Sequence, residues 1–172
     1  MNDLKNTAVI LIDMQSYFAD DVEMFKRQEI IQGQINILKE CAEKNIPVIV
    51  LELDDRGRTL AILDCYLKMI RVVKYVTKNY NDGFCGTNLN RILKELGIKT
   101  LILMGINAGY CVKATAISTI AYGYKIITAD NLIANGHYHK HDYPEWFMQN
   151  GVFLKSPLRL DMLRTETQLM LV

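Results

Sequence analysis

Three side chains with complementary chemistry stand at or just beyond the ends of apolar runs. Asp13 follows Ala8-Val9-Ile10-Leu11-Ile12, Lys78 follows a run ending Val76-Thr77, and Cys111 comes shortly after Leu101-Ile102-Leu103-Met104-Gly105. Val112, Ala114, Ala116 and Ile117 predict a helix behind the cysteine. Its sulfur would then sit at a helix N-terminus, where unpaired amides and a nearby ammonium favour the nucleophilic thiolate. A carboxylate at Asp13 can take the thiol proton and return it to a leaving amine. Lys78 can hold both partners in their charged forms.

Each residue taken alone has a plainer reading. Cys111 can be a small buried core residue, as Cys41, Cys65 and Cys85 are read; Asp13 can cap the helix that follows. Lysines are usually solvated, and Lys74 lies four residues earlier on the same strand face. Lys78 is preferred because it falls at a strand end, where ligand sites form in open α/β sheets. Lys74 falls in mid-strand and is expected to point into a covering helix layer.

The elements that must position these residues follow from hydropathy patterning. Val- and Ile-rich runs predict six strands: Thr7 to Ile12, Pro47 to Leu53, Val72 to Thr77, Thr100 to Met104, Lys125 to Thr128 and Val152 to Lys155. Between them lie helical stripes. Ile31, Ile35, Leu38 and Ala42 recur at helical spacing and end near Asn45; Leu89, Ile92, Leu93 and Leu96 precede Gly97, a C-cap; Leu60, Leu63 and Leu67 form a weaker stripe. The alternation predicts an α/β fold, a doubly wound, mostly parallel six-stranded sheet with helices on both faces. No linker, repeat or low-complexity tract interrupts residues 1–172, so one domain is expected. The segment from Pro157 to Val172 has no clear period and fits a strand, a helix or an oligomer contact.

Bulk properties narrow the function. The 172 residues are 50% hydrophobic and 23% charged, with 20 basic against 19 acidic side chains. That balance excludes an electrostatic case for nucleic acid or an anionic membrane. Four cysteines without CxxC spacing, in a chain long enough to fold uncrosslinked, predict a reduced, cytoplasmic protein. The first apolar run is too short for a signal segment or a membrane span.

Three segments then carry a resemblance. Asp13-Met14-Gln15-Ser16-Tyr17-Phe18 is similar to the Asp-x-Gln-x-x-Phe opening of isochorismatase-like hydrolases. Lys78 through Phe84, with Thr87 and Leu89, resembles their Lys-x-x-x-x-x-Phe-x-x-Thr-x-Leu segment, and Gly105 through Val112 resembles their nucleophile loop. The match runs in order over roughly residues 7 to 156, which is more specific than any isolated residue. It implies Cys111 as nucleophile, Asp13 as general base and acid, and Lys78 as the residue that activates and orients them. It also implies a cis peptide between Ile106 and Asn107, with the backbone N–H groups of Asn107 and Cys111 as the oxyanion hole. The implied reaction is cleavage of a C–N bond, amide or ureido-type, of a small molecule through a Cys111 thioester, without cofactor. A homo-oligomer is implied as well, with Leu169-Met170-Leu171-Val172 as a contact.

Departures from the family pattern are equally legible. Nicotinamidases carry an Asp-x-His metal motif and a further His after the second strand, where this chain has Leu53-Asp54-Asp55-Arg56-Gly57-Arg58. The three histidines, His137, His139 and His141, fall together downstream and read as a polar loop rather than a metal site, so no catalytic metal is expected. Phe18, Tyr80, Phe84 and Tyr110 are candidates to line an apolar pocket, or are core. A redox-reactive or ligand-binding homologue, with Cys85 resolving Cys111, is the competing reading.

Overall fold

Ala8 to Ile12 and Val48 to Leu51 are wholly buried, as befits strands covered on both faces. They form the centre of the sheet in the computed structural model, which describes residues 3–139, 142–155 and 157–160. In chain order the elements are β1 (Thr7–Ile12), α1 (Ser16–Ala19), α2 (Met24–Lys44), β2 (Val48–Leu53), α3 (Ala61–Leu67), β3 (Val73–Lys78), α4 (Leu89–Glu95) and β4 (Thr100–Ile106). After β4 come a π-helical turn (Ala108–Val112), α5 (Lys113–Ala121), β5 (Lys125–Ala129), β6 (Ile133–Ala134), α6 (Pro144–Asn150) and β7 (Val152–Leu154).

The strands pair in the order β3-β2-β1-β4-β5-β7, with β6 beside β4. Every described ladder between named strands is parallel. The sheet therefore has seven strands rather than six. Ile133–Ala134 was missed because two residues are too few to show a period, and pairing with Gly105 and Ile106 alone makes them a strand. Strand order reverses between β1 and β4, the place where open α/β sheets leave a crevice at their carboxyl ends.

Helix termini follow local chemistry. α2 buries Ile30, Ile35, Ile37, Leu38 and Cys41 on one side and stops at Asn45, whose φ of 56° suits asparagine in the left-handed region. α4 ends with Ile98 N–H donating to Leu93 O and Gly97 N–H donating to Lys94 O, the double bond of a glycine-terminated helix. One local expectation fails: Lys74 is exposed. β3 is the edge strand of this path, so Lys74 and Tyr75 meet solvent instead of a helix layer. Among the described residues no helix is long and apolar enough to cross a membrane. Leu158 and Leu160 are buried, whereas residues 161–172, including the Leu169–Val172 end, lie outside the described residues.

Candidate active site

Asp13 leaves β1 with φ of 52°, a left-handed conformation that non-glycine residues rarely adopt away from functional sites or turns. Its N–H donates to Leu51 O of β2 at 3.0 Å, which ties the bend to the sheet. It does not cap a helix: α1 begins at Ser16 with Gln15 before it. The carboxylate is fully buried.

Lys78 ends β3, two strands away from β1, and is also fully buried. Its extended side chain reaches past β2, so that Nζ donates to Asp13 Oδ2 at 2.8 Å. The same ammonium donates to Tyr80 O at 3.1 Å and Asn81 O at 3.4 Å. All of its donors thus have acceptors, which offsets the cost of burying a charge. Asp13 Oδ1, by contrast, is buried with no hydrogen-bond partner.

Cys111 arrives from β4 through Gly105, whose φ is 146°. Any Cβ there would strike the carbonyl oxygen of Ile12, so glycine lets the end of β4 lie against the end of β1. The Ile106–Asn107 peptide is cis. The chain then winds through the π-helical turn, with Val112 N–H donating to Asn107 O at 3.1 Å, and continues into α5. Cys111 is 3% exposed; Asn107 N–H hydrogen-bonds its sulfur, and Sγ donates to Asn81 Oδ1 at 3.7 Å.

The electrostatics differ from the thiolate expected at a helix N-terminus. Burial first, and then the negative charge of Asp13, push the Cys111 thiol up to about 12, against the smaller pull of Lys78. Burial likewise holds the Asp13 carboxyl above its ordinary value, although Lys78 works in the opposite direction. At the sulfur, burial and the Asp13 charge both favour the protonated thiol over the thiolate. Desolvation and a carboxylate neighbour outweigh the helix terminus because both act at contact range on a group with almost no access to water.

Surrounding polar contacts hold the three strand ends in place. Gln15, fully buried, donates through Nε2 to Leu53 O and Gly57 O and accepts from Leu53 N–H, clamping the segment after β2 onto the segment after β1. Glu52 accepts from Thr59 N–H and Oγ1 and pairs with Arg58, closing the same loop. Asn107 Oδ1 accepts from Gly136 N–H at 2.7 Å and Asn135 Oδ1 from Gly109 N–H at 2.8 Å, fixing the turn that carries Cys111 from the far side. Asp82 accepts from Ser118 Oγ, and Thr115 Oγ1 accepts from Gly83 N–H, which docks the loop after Lys78 onto α5. Sequence reasoning assigned no role to Asn81. The available signal was a carboxamide three residues beyond Lys78, in a strand-end loop.

The aromatic candidates separate. Tyr80 is exposed beside Asn81, and Tyr110 is exposed beside Cys111, with its ring 5.6 Å from that of His139. Phe18 is half-buried against Tyr17. Phe84 is buried and stacked on Tyr122 at 5.0 Å and Tyr124 at 6.4 Å, a packed cluster with α5's end. His137 and His139 donate their backbone N–H groups to Asp21 O and Gly136 O; His141 lies outside the described residues. Among the described residues no group of three or more His, Cys, Asp or Glu side chains is placed to hold a metal ion.

A parallel sheet with this strand order and a Cys–Asp–Lys cluster at its switch point defines an α/β protein with a cysteine-centred site. The chain belongs to the isochorismatase family: the profile described as Isochorismatase domain matches residues 7–153. A secreted isochorismatase effector, Isc1, from Verticillium dahliae is 25% identical over 140 residues, covering 76% of this chain and 74% of that protein. The fold is shared with N-carbamoylsarcosine amidase from Thermoplasma acidophilum, at a TM-score of 0.74 and 19% identity over 90% of this chain and 98% of that one. It is also shared with the MAR1 ribonuclease from Caenorhabditis elegans, at a TM-score of 0.75 and 22% identity over 91% and 79% of the two chains.

Proposed function

We propose that the protein is a cysteine hydrolase that cleaves the C–N bond of a small amide or ureido-type substrate through a Cys111 thioester. The observation that carries this reading is the division of labour on one buried carboxylate. Oδ2 of Asp13 is held by Lys78, while the same carboxylate is in charge and hydrogen-bonding contact with the Cys111 thiol. Fixing one oxygen orients the other.

The steps follow from the proton's position. As Sγ attacks the substrate carbonyl carbon, its proton passes to Asp13 Oδ1, and negative charge develops on the carbonyl oxygen. The backbone N–H groups of Cys111 and of Asn107, the latter released from the sulfur as the S–C bond forms, receive that charge. Collapse of the tetrahedral intermediate breaks the C–N bond, and Asp13 gives its proton to the departing nitrogen. Water then attacks the thioester, Asp13 takes its proton, and the thiol leaves reprotonated by Asp13 with the acid product. A carboxyl whose pKa is raised by burial suits a group that must both accept and release a proton. The Lys78 amine, 2.8 Å from Oδ2, opposes any drift of Asp13 toward permanent protonation. N-carbamoylsarcosine amidase, sharing the fold, is named for C–N cleavage of this type.

A redox role fits the site less well. Oxidants need access, and Cys111 is 3% exposed, whereas Cys65 and Cys85, expected from the sequence to be core, are exposed.

The test is ammonia release from a panel of small amides, ureido compounds and nicotinamide, comparing the unmodified protein with Cys111→Ala. Turnover that disappears in Cys111→Ala supports the hydrolase. Silence across a broad panel from a folded protein, or turnover indifferent to Cys111, overturns it.

A further inference from the structure

We propose that Asn81 is a further catalytic residue, a substrate-displaced keeper of the thiol proton: its carboxamide oxygen holds the Cys111 S–H until the N–H of a bound amide takes that acceptor. This rests on the hydrolase reading of Cys111.

Two oxygens compete for one hydrogen. Asn81 Oδ1 accepts from Sγ at 3.7 Å, while Asp13 Oδ1 is unpartnered. In the proposed resting arrangement the hydrogen lies on the neutral acceptor, with the Asp13 carboxylate as a second acceptor within reach. Asp13, Lys78 and Cys111 are all buried, but Asn81 is exposed, so a ligand entering from solvent meets its carboxamide first.

Asn81 is also held in register with the reacting groups. Its backbone oxygen accepts from Lys78 Nζ at 3.4 Å. The next residues are docked on α5, the helix behind Cys111: Asp82 Oδ2 accepts from Ser118 Oγ at 2.6 Å and Gly83 N–H donates to Thr115 Oγ1 at 3.0 Å. The carboxamide therefore sits on a loop tied to both Lys78 and α5.

The exchange breaks no covalent bond. A substrate N–H donates to Asn81 Oδ1, the S–H rotates to Asp13 Oδ1, and only then does the S–C bond form as the proton crosses to the carboxylate. Binding and activation of the nucleophile become one event, and it requires a hydrogen on the scissile nitrogen. Primary amides and ureido groups meet that requirement; N,N-disubstituted amides do not.

The experiment reads the S–H stretch of Cys111 by infrared difference against Cys111→Ala, in the unmodified protein and in Asn81→Leu, which keeps the shape without the acceptor. Asn81→Leu is expected to move the band to lower frequency, since a carboxylate is the stronger acceptor. Adding acetamide to the unmodified protein should do the same, and N,N-dimethylacetamide should not. With a turned-over amide in hand, the preference for its primary form over its N,N-dimethyl form should fall about tenfold in Asn81→Leu, the effect of one hydrogen bond. Asn81→Ser, with a shorter oxygen acceptor, should restore part of it. A band unmoved in Asn81→Leu, or a preference that survives the substitution, overturns the proposal. The infrared result needs no turnover, so failure of the hydrolase reading would be seen separately as silence in the amide panel.

Discussion

Two buried thiols in this protein are both shifted upward by burial and differ in the groups that surround them. Cys41 on α2 and Cys111 after β4 are both pushed up to about 12, and in both the first cause is burial. Around Cys41 the remaining influences are Glu40 and Lys44, neighbours on the same helix. Around Cys111 they are Asp13 and Lys78, brought from two other strands, with Asn107 N–H and Asn81 Oδ1 at the sulfur. A raised pKa therefore does not single out a nucleophile. What sets Cys111 apart as the proposed nucleophile is the buried Asp13 carboxylate in contact with its thiol, since a neutral thiol can react only where its proton has somewhere to go.

The sharpest way to break this comparison is to remove each sulfur. Cys111→Ala should lower amide turnover by about a thousandfold or more, because no other group in the site supplies the nucleophile. Cys41→Ala should leave kcat/KM nearly unchanged in the same assay. If Cys41→Ala proved as damaging in a folded protein, the contrast would be wrong.

Next in size is the ion pair. Lys78→Met leaves Asp13 buried without its partner and should lower stability by about 3–5 kcal/mol, read by urea unfolding. Combining it with Asp13→Asn should recover part of that loss, since the uncompensated charge is then gone. Loss of the same size in both variants would indicate that packing of the lysine stem, not charge, dominates.

A smaller effect concerns packing alone. Cys41→Ala empties space in the core beneath α2 and should cost about 1–2 kcal/mol, a modest core truncation. Its effect should appear in the unfolding midpoint and not in the pH profile of turnover.

The last test uses pH. A thiol near 9 when unfolded and about 12 when folded keeps its proton longer in the native state, so its contribution to stability is complete below pH 9 and declines as pH rises through 12. Each of the two thiols should add up to one proton to the alkaline slope of stability, and each Cys→Ala variant should flatten it. Asp13→Asn should lower the Cys111 titration, read by thiolate ultraviolet absorbance, and leave that of Cys41 in place. Equal responses would show that Asp13 does not act on Cys111 specifically.

Most of the scaffold was legible because burial on both faces writes itself into residue type. Ala8 to Ile12 and Leu101 to Met104 are apolar without alternation, and the residues following such runs are where a parallel sheet presents side chains to a ligand. Edges were less legible. Val73 to Lys78 reads much like a covered strand, yet its place at the margin exposes Lys74 and Tyr75, and nothing local distinguishes a margin from an interior. Phe84 illustrates the same limit, since only the fold brings Tyr122 and Tyr124 against it.

The sequence by itself determined that an aspartate, a lysine and a cysteine close separate strand units of one parallel sheet, and the motif spacing marked them as a set. Tertiary structure alone decided that Lys78 reaches past β2 to one oxygen of Asp13, that the same carboxylate lies against the Cys111 thiol, and that Asn81 Oδ1 stands 3.7 Å from the sulfur. The reason is physical. Residue type and period encode which segments are buried, but protonation and hydrogen-bond choice depend on desolvation and on charges within a few ångströms, set by contacts between residues 65 positions apart, as for Lys78 and Asp13.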